Sequence, residues 1–358
     1  VIIETDKEKQ YYEHFLNRGF QSSVAPGIIA GIGRSKMADK VSIIWPDGRT
    51  EQKTGIKANS EMVFDYAKAV DQGMDYLENQ NAFAVSKQLT EALNYKHMEN
   101  DFDDFKKEIL LPQKYSTLGP ACSIGDVNGD GLDDVFLGAA KGYAASLKIQ
   151  KPEGGFENSS NQLWEQEKSY EDVGSIFIDG DQDGDLDLYV VSGGNENEPG
   201  HRLYRDRYYI NNGKGGFSKY NALPDIRTSG AAVAKADYDN DGDEDLFIGG
   251  RIVPGKYPTP SSSHLLRNEG GRFLDVTDSD APGFKDLGMV TDAVFDDFDR
   301  DGDLDILIVG EWMPLVLFKN SEGRFTEESL ETLTGNGWWY SMASADFNGD
   351  GYKDYVLG

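Results

Sequence analysis

The segment Asp179-Gly180-Asp181-Gln182-Asp183-Gly184-Asp185-Leu186-Asp187 sets a carboxylate at every second position and leads straight into the apolar run Leu188-Tyr189-Val190-Val191. Carboxylates this close repel one another unless a cation sits between them. Alternating oxygen donors on a tight turn suit a hard ion such as Ca2+, and a glycine lets the backbone fold back around it. The pattern recurs as Asp126, Asn128, Asp130 with Gly131 and Asp134, and as Asp237, Asp239, Asp241 with Gly242 and Asp245. It returns as Asp297, Asp299, Asp301 with Gly302 and Asp305, and as Asp346, Asn348, Asp350 with Gly351 and Asp354. Five loops thus carry oxygen side chains at positions 1, 3, 5 and 9, and up to five Ca2+ ions are expected. Loops 1 and 5 have Asn at position 3, so they carry less charge and are expected to bind more weakly.

An EF-hand needs a bidentate Glu at position 12 and flanking helices. Position 12 here is Leu137, Val190, Ile248, Ile308 or Leu357, and the flanks read as strands, such as Ser175-Ile176-Phe177-Ile178. Plain Asp/Gly hairpin turns are the other alternative, but a turn uses one or two Asp residues rather than four in register.

Asp and Glu total 63 against 35 Lys and Arg, a net charge of −28. Five Ca2+ ions would cancel about ten of those charges. The remainder argues against nucleic acid as a partner, and no polybasic segment favours an anionic membrane. Cys122 is the single cysteine, so no disulfide forms within the chain. That fits a reducing compartment, or a bacterial surface protein braced by metal instead. Loops of this kind suit millimolar extracellular calcium. No apolar run approaches the ~20 residues that span a bilayer. Val1–Asp6 does not read as a signal peptide, so either a signal has been removed or the chain starts inside a longer protein.

Residues 1–70 lack acidic loops and read as a small β domain, with strands expected at Val41–Trp45 and Met62–Tyr66 and a turn at Pro46-Asp47-Gly48-Arg49. Residues 71–125 are expected to be a junction with the first propeller strands. In it His97, Glu99, Asp101, Asp103 and Asp104 read as an acidic connector, because no regular spacing aligns them as ligands. A second phrase, apolar residues then Asn, a turn and Phe, appears at Tyr76–Phe83, Tyr209–Phe217, Leu265–Phe273 and Leu317–Phe325, and more loosely at Leu147–Phe156. From residue 126 to 358 the two hairpin phrases alternate, with loops starting at 126, 179, 237, 297 and 346. A four-stranded unit repeating every ~40–60 residues is the signature of a β-propeller. The expected fold is all-β, with at least five blades.

Arg18-Gly19-Phe20-Gln21-Ser22-Ser23, Gly31-Ile32-Gly33, Trp45-Pro46-Asp47-Gly48 and Ala58-Asn59 resemble the ASPIC/UnbV domain. The periodic acidic loops resemble FG-GAP/VCBS repeats, the blades of the integrin α-subunit propeller. That resemblance implies calcium held by the side chains at positions 1, 3, 5 and 9 and by the position-7 carbonyl of Leu132, Asp185, Asp243, Asp303 or Tyr352. It also implies seven blades in a complete ring, so further blades are expected after Gly358, with Asn79–Phe83 beginning a neighbouring one.

Metal loops joining the first two strands of each blade would share one face. The opposite face would gather aromatic and charged loops, and Arg251, Tyr257, Glu311, Trp312, Trp338 and Trp339 are expected to rim a ligand or partner site at the channel mouth. The alternative is that these rings pack between blades. The functional expectation is a calcium-binding scaffold that engages a protein or glycan at a bacterial cell surface. A polysaccharide lyase or hydrolase is the alternative, with little support, since no HExxH or G-x-S-x-G motif is present. A further alternative, from resemblance, is an accessory subunit of an outer-membrane nutrient transporter, with no transmembrane segment in this chain.

Overall fold

The computed structural model describes residues 1–7, 9–12, 17–19, 22–23, 27–70, 93–160, 163–328, 330 and 335–358. The chain forms two compact units, Val1–Ser86 and Lys87–Gly358. The Tyr76–Phe83 phrase lies outside the described residues.

In the first unit, β1 (Ile2–Glu4), β2 (Lys9–Tyr11), β5 (Met37–Ile44) and β6 (Thr50–Lys57) form an antiparallel sheet in the order β2-β1-β5-β6, and β3 (Asn17–Gly19) pairs with β4 (Ser22–Ser23). Ile3, Ala38 and Val41 form its buried core. The expected strand at Met62–Tyr66 is not one. Residues 61–65 are irregular, and Tyr66–Lys68 is a 3-10 turn whose start is capped by the Asp65 carboxylate on the Ala67 N–H. Met62 and Phe64 still pack against the core, which is what gave the segment its strand-like alternation.

The second unit is a series of antiparallel blades. Blade 1 holds β7 (Cys122–Gly125), β8 (Asp134–Leu137), β9 (Ser146–Gln150) and β10 (Phe156–Asn158). Blade 2 holds β11 (Asp172–Ile178), β12 (Asp187–Ser192), β13 (Arg207–Ile210) and β14 (Ser218–Tyr220). Blade 3 holds β15 (Ser229–Ala236), β16 (Asp245–Ile252), β17 (His264–Asn268) and β18 (Phe273–Asp275). Blade 4 holds β19 (Met289–Asp296), β20 (Asp305–Met313), β21 (Val316–Ser321) and β22 (Arg324–Glu328), and β23 (Gly337–Trp338) adds to β20. Blade 5 shows β24 (Met342–Ala345) and β25 (Asp354–Leu357). Within each blade the strands pair in chain order, and the first strands β7, β11, β15, β19 and β24 are successive neighbours.

The second strands explain the unbroken apolar runs. Every residue of β12 and of β16 is buried, because neighbouring blades cover both faces. Separate clusters fill the spaces between blades, for example Val127, Trp164 and Phe217 between blades 1 and 2, and Phe247, Phe284 and Phe325 between blades 3 and 4.

The Asn of the second phrase is the polar tie between blades. Its side-chain amide donates to the position-2 carbonyl of the preceding blade's loop: Asn211 to Val127 (2.8 Å), Asn268 to Gly180 (2.7 Å) and Asn320 to Tyr238 (2.7 Å). Its backbone N–H donates to the position-9 carboxylate of its own blade, Asp187, Asp245 or Asp305. Asn268 is fully buried, so truncation strands the Gly180 carbonyl. Asn268→Ala is expected to cost about 1–3 kcal/mol, read as a lower urea midpoint with an unchanged slope.

Candidate functional site

The acidic loops join the first and second strands of all five blades, as the spacing requires. Each repeats one backbone course. The position-6 glycines Gly131, Gly184, Gly242, Gly302 and Gly351 all have φ between 82° and 98°, where a side chain is strained. The position-5 carboxylate accepts the position-7 N–H in every loop, at 2.8–3.1 Å.

This course brings positions 1, 3 and 5 together. Ligand oxygens of Asp179, Asp181 and Asp183 lie within 4.8 Å of one another, as do those of Asp237, Asp239, Asp241 and of Asp297, Asp299, Asp301. Buried Oδ1 atoms of Asp179, Asp181, Asp185, Asp239 and Asp297 have no hydrogen-bond partner. Unpartnered hard oxygens in a convergent set fit a divalent cation such as Ca2+. In loops 1 and 5, Asp126 and Asp346 accept N–H groups from their own loops with both oxygens.

The position-9 carboxylates have a second task. Asp134, Asp245 and Asp305 are fully buried, and each accepts the position-2 N–H on one oxygen and an N–H from the third strand or its end on the other. In blade 2 the Tyr208 hydroxyl donates to Asp187, in space that exists because position 2 is Gly180. Asp354 accepts the Phe347 N–H. Burial, with neighbouring Asp charges adding to it, pushes Asp245 up to about 8 and Asp185 and Asp187 up to about 6. Without a cation the loops would be electrostatically costly.

At position 7 the side chains of Asp243 and Asp303 accept the Gly270 and Glu322 N–H groups, tying loop to second hairpin. Position 4 carries a link between loops. Gln182, Asn240 and Arg300 have φ of 59°, 59° and 64°, and each reaches the next loop. Gln182 donates to Gly242 O (2.8 Å), Asn240 to Asp303 (3.2 Å) and Arg300 to Gly351 O.

The opposite face needs a correction. Arg251 and Glu311 do not rim an opening: they lie within β16 and β20 as an ion pair at 2.6 Å with side chains 2% and 0% exposed. Both strands run on through these residues, and Gly249 and Gly250 in β16 and Gly310 in β20 let neighbouring atoms approach where a side chain would block them. Tyr115 seals the pair. Its hydroxyl donates to Glu311 (2.5 Å) and its ring lies 5.1 Å from the Arg251 guanidinium. Tyr257 is half-buried and donates to the same carboxylate at 2.8 Å. Trp339 is half-buried against the blade 4–5 core.

Trp312 and Trp338 are exposed, 52% and 37%, with ring centroids 5.0 Å apart, and Tyr340 stacks on Trp338 at 6.4 Å. Trp312 sits at a bulge between the Glu311–Trp338 and Met313–Gly337 pairs, with φ 61°. Bulges re-aim a side chain, and a left-handed backbone at a bulky residue is strain that other contacts must sustain.

Residues 1–71 match the family model ASPIC and UnbV, and residues 179–248 and 297–357 match the FG-GAP-like repeat model. The chain carries an ASPIC and UnbV domain and FG-GAP-like repeats over those residues. FG-GAP repeats imply a β-propeller, in agreement with the blades. No curated protein matches the chain. Among solved structures it is similar to the V. cholerae biofilm matrix protein Bap1, at 15% identity and a TM-score of 0.35, over 67% of this chain and 34% of that one.

Two features of the FG-GAP-like repeats escape sequence reading: the position-4 side chains and the Asn clamp. The Asn was visible as a recurrent turn residue, but its partner lies in the preceding repeat. Asp239→Asn is expected to raise the urea midpoint in chelator, where it removes a like charge, and to lower it in calcium. The loss approaches about 2.7 kcal/mol when free calcium is a hundredfold above the site's Kd.

Proposed function

We propose that this chain is a calcium-stabilised binding module that works at a bacterial surface and engages a glycan or protein through the Trp312–Trp338–Tyr340 ridge. The observation that carries the calcium reading is the set of unpartnered, converging carboxylate oxygens in loops 2, 3 and 4. Calcium there would offset the cost of burying the Asp185 and Asp245 carboxylates, together with the Asp–Asp repulsion that adds to it, and binding to the folded form alone adds stability by mass action. A surface setting supplies the millimolar calcium that such loops need.

The ridge supports the partner half. Exposed aromatics on a rigid scaffold offer large contact area at low entropic cost, and stacked rings suit the flat faces of sugars as well as a protein side chain. Its neighbours Tyr115, Arg251 and Glu311 are buried and hold the strand that presents Trp312. The ridge binds and does not catalyse in this reading.

Excess EDTA is expected to lower the melting temperature by several degrees, restored by calcium. An unchanged melt defeats the calcium half. Trp312→Ala and Trp338→Ala are each expected to weaken binding to surface polysaccharide or intact cells by about tenfold, the effect of losing about 1.4 kcal/mol. Their circular dichroism and melts should match the parent. Unaltered binding removes the ridge from the reading.

A further inference from the structure

We infer that the face opposite the acidic loops holds a separate cation site, built from Glu171, Glu196 and Asn100 and suited to Ca2+. The three residues come from distant stretches of chain. Asn100 belongs to the segment before blade 1, Glu171 precedes β11, and Glu196 follows β12. No sequence spacing relates them, and the local acidic run from Glu99 to Asp104 is not itself the site.

Glu171 is 2% exposed. Its Oε2 accepts the Lys141 N–H at 2.7 Å, but its Oε1 is buried and has no partner. Glu196 accepts the Asn100 amide at 2.6 Å on Oε1, while its Oε2 is likewise buried and unpartnered. Asn100 Oδ1 is the third unpartnered oxygen. Gly194 makes the room. With φ 96°, it leaves open a position where a Cβ would stand 2.3 Å from Glu196 Oε2 and 3.5 Å from Glu171 Cγ, so both acidic side chains border that space.

Burial, then the charges of Glu196, Glu99 and Asp172, push Glu171 up to about 9, and burial also raises Glu196. Lys141 attracts Glu196, yet its ammonium nitrogen lies 3.5 Å from Asn197 Oδ1 and bonds neither free oxygen. Two carboxylates and an amide oxygen form an all-oxygen donor set from three independent segments. Such a flexible set favours Ca2+, which accepts irregular geometry, over Mg2+, which demands a near-ideal octahedron. An ion here would fasten the segment around Asn100 to blade 2.

The inference does not depend on the acidic loops, and the experiment separates the two. Full chain stripped of metal is titrated with Ca2+ and with Mg2+ by calorimetry and equilibrium dialysis. It is compared with the Glu171→Gln/Glu196→Gln double variant, and with a loop variant carrying Asp→Asn at 179, 181, 237, 239, 297 and 299. The double variant should bind one Ca2+ fewer than the parent, and the loop variant should retain that equivalent. Equal stoichiometry in parent and double variant overturns the site. So does a parent that gains no more stability from added Ca2+ than the double variant gains, which makes a shared proton the occupant. Should the variants fail to fold, anomalous diffraction from the parent grown in Tb3+ or Ca2+ decides: a peak between Glu171 and Glu196 is expected, and its absence overturns the site.

Discussion

Repulsion among carboxylates crowded into one turn is the constraint on which the blades are built. Loops 2, 3 and 4 each bring three Asp side chains together, and in blades 1, 3 and 4 the position-9 carboxylate turns inward, where it organises backbone N–H groups from its own blade. The same turn is therefore both a costly concentration of charge and the hub of the blade's hydrogen bonding. A divalent ion would resolve the conflict without disturbing the hub, because the oxygens left unpartnered differ from those that bind the backbone.

The repeats were legible in the sequence because a blade is a local object. The period, the loop positions and the second hairpin phrase all lie within one repeat of about 50–60 residues, and strand order follows chain order. Glycine at position 6 and apolar residues at position 12 were enough to place the loops between strands. What joins repeats was not legible. Asn268 meets Gly180 and Asn320 meets Tyr238 from a whole blade away, and single-residue spacing carries no mark of such contacts.

The opposite face shows the same limit in another form. Arg251, Glu311 and the tryptophans share a composition typical of a binding surface, but composition does not report depth. Tyr115, from a segment with no repeat pattern, fills the place where an opening was expected and turns two candidate rim charges into a buried pair. Burial of such a pair is tolerable only with its hydrogen bonds satisfied, and the Tyr115 and Tyr257 hydroxyls provide them. Trp312 and Trp338 remain outside because a bulge turns the chain there.

The position-4 side chains give the loop face a direction. Gln182 holds the third loop, Asn240 the fourth and Arg300 the fifth, always from the earlier blade to the later one. These grips close on atoms at positions 6 and 7, beside the converging carboxylates. An ion filling one loop would stiffen the arm that grips its successor, and ions entering such a row would sense their neighbours in order along the arc rather than as independent sites.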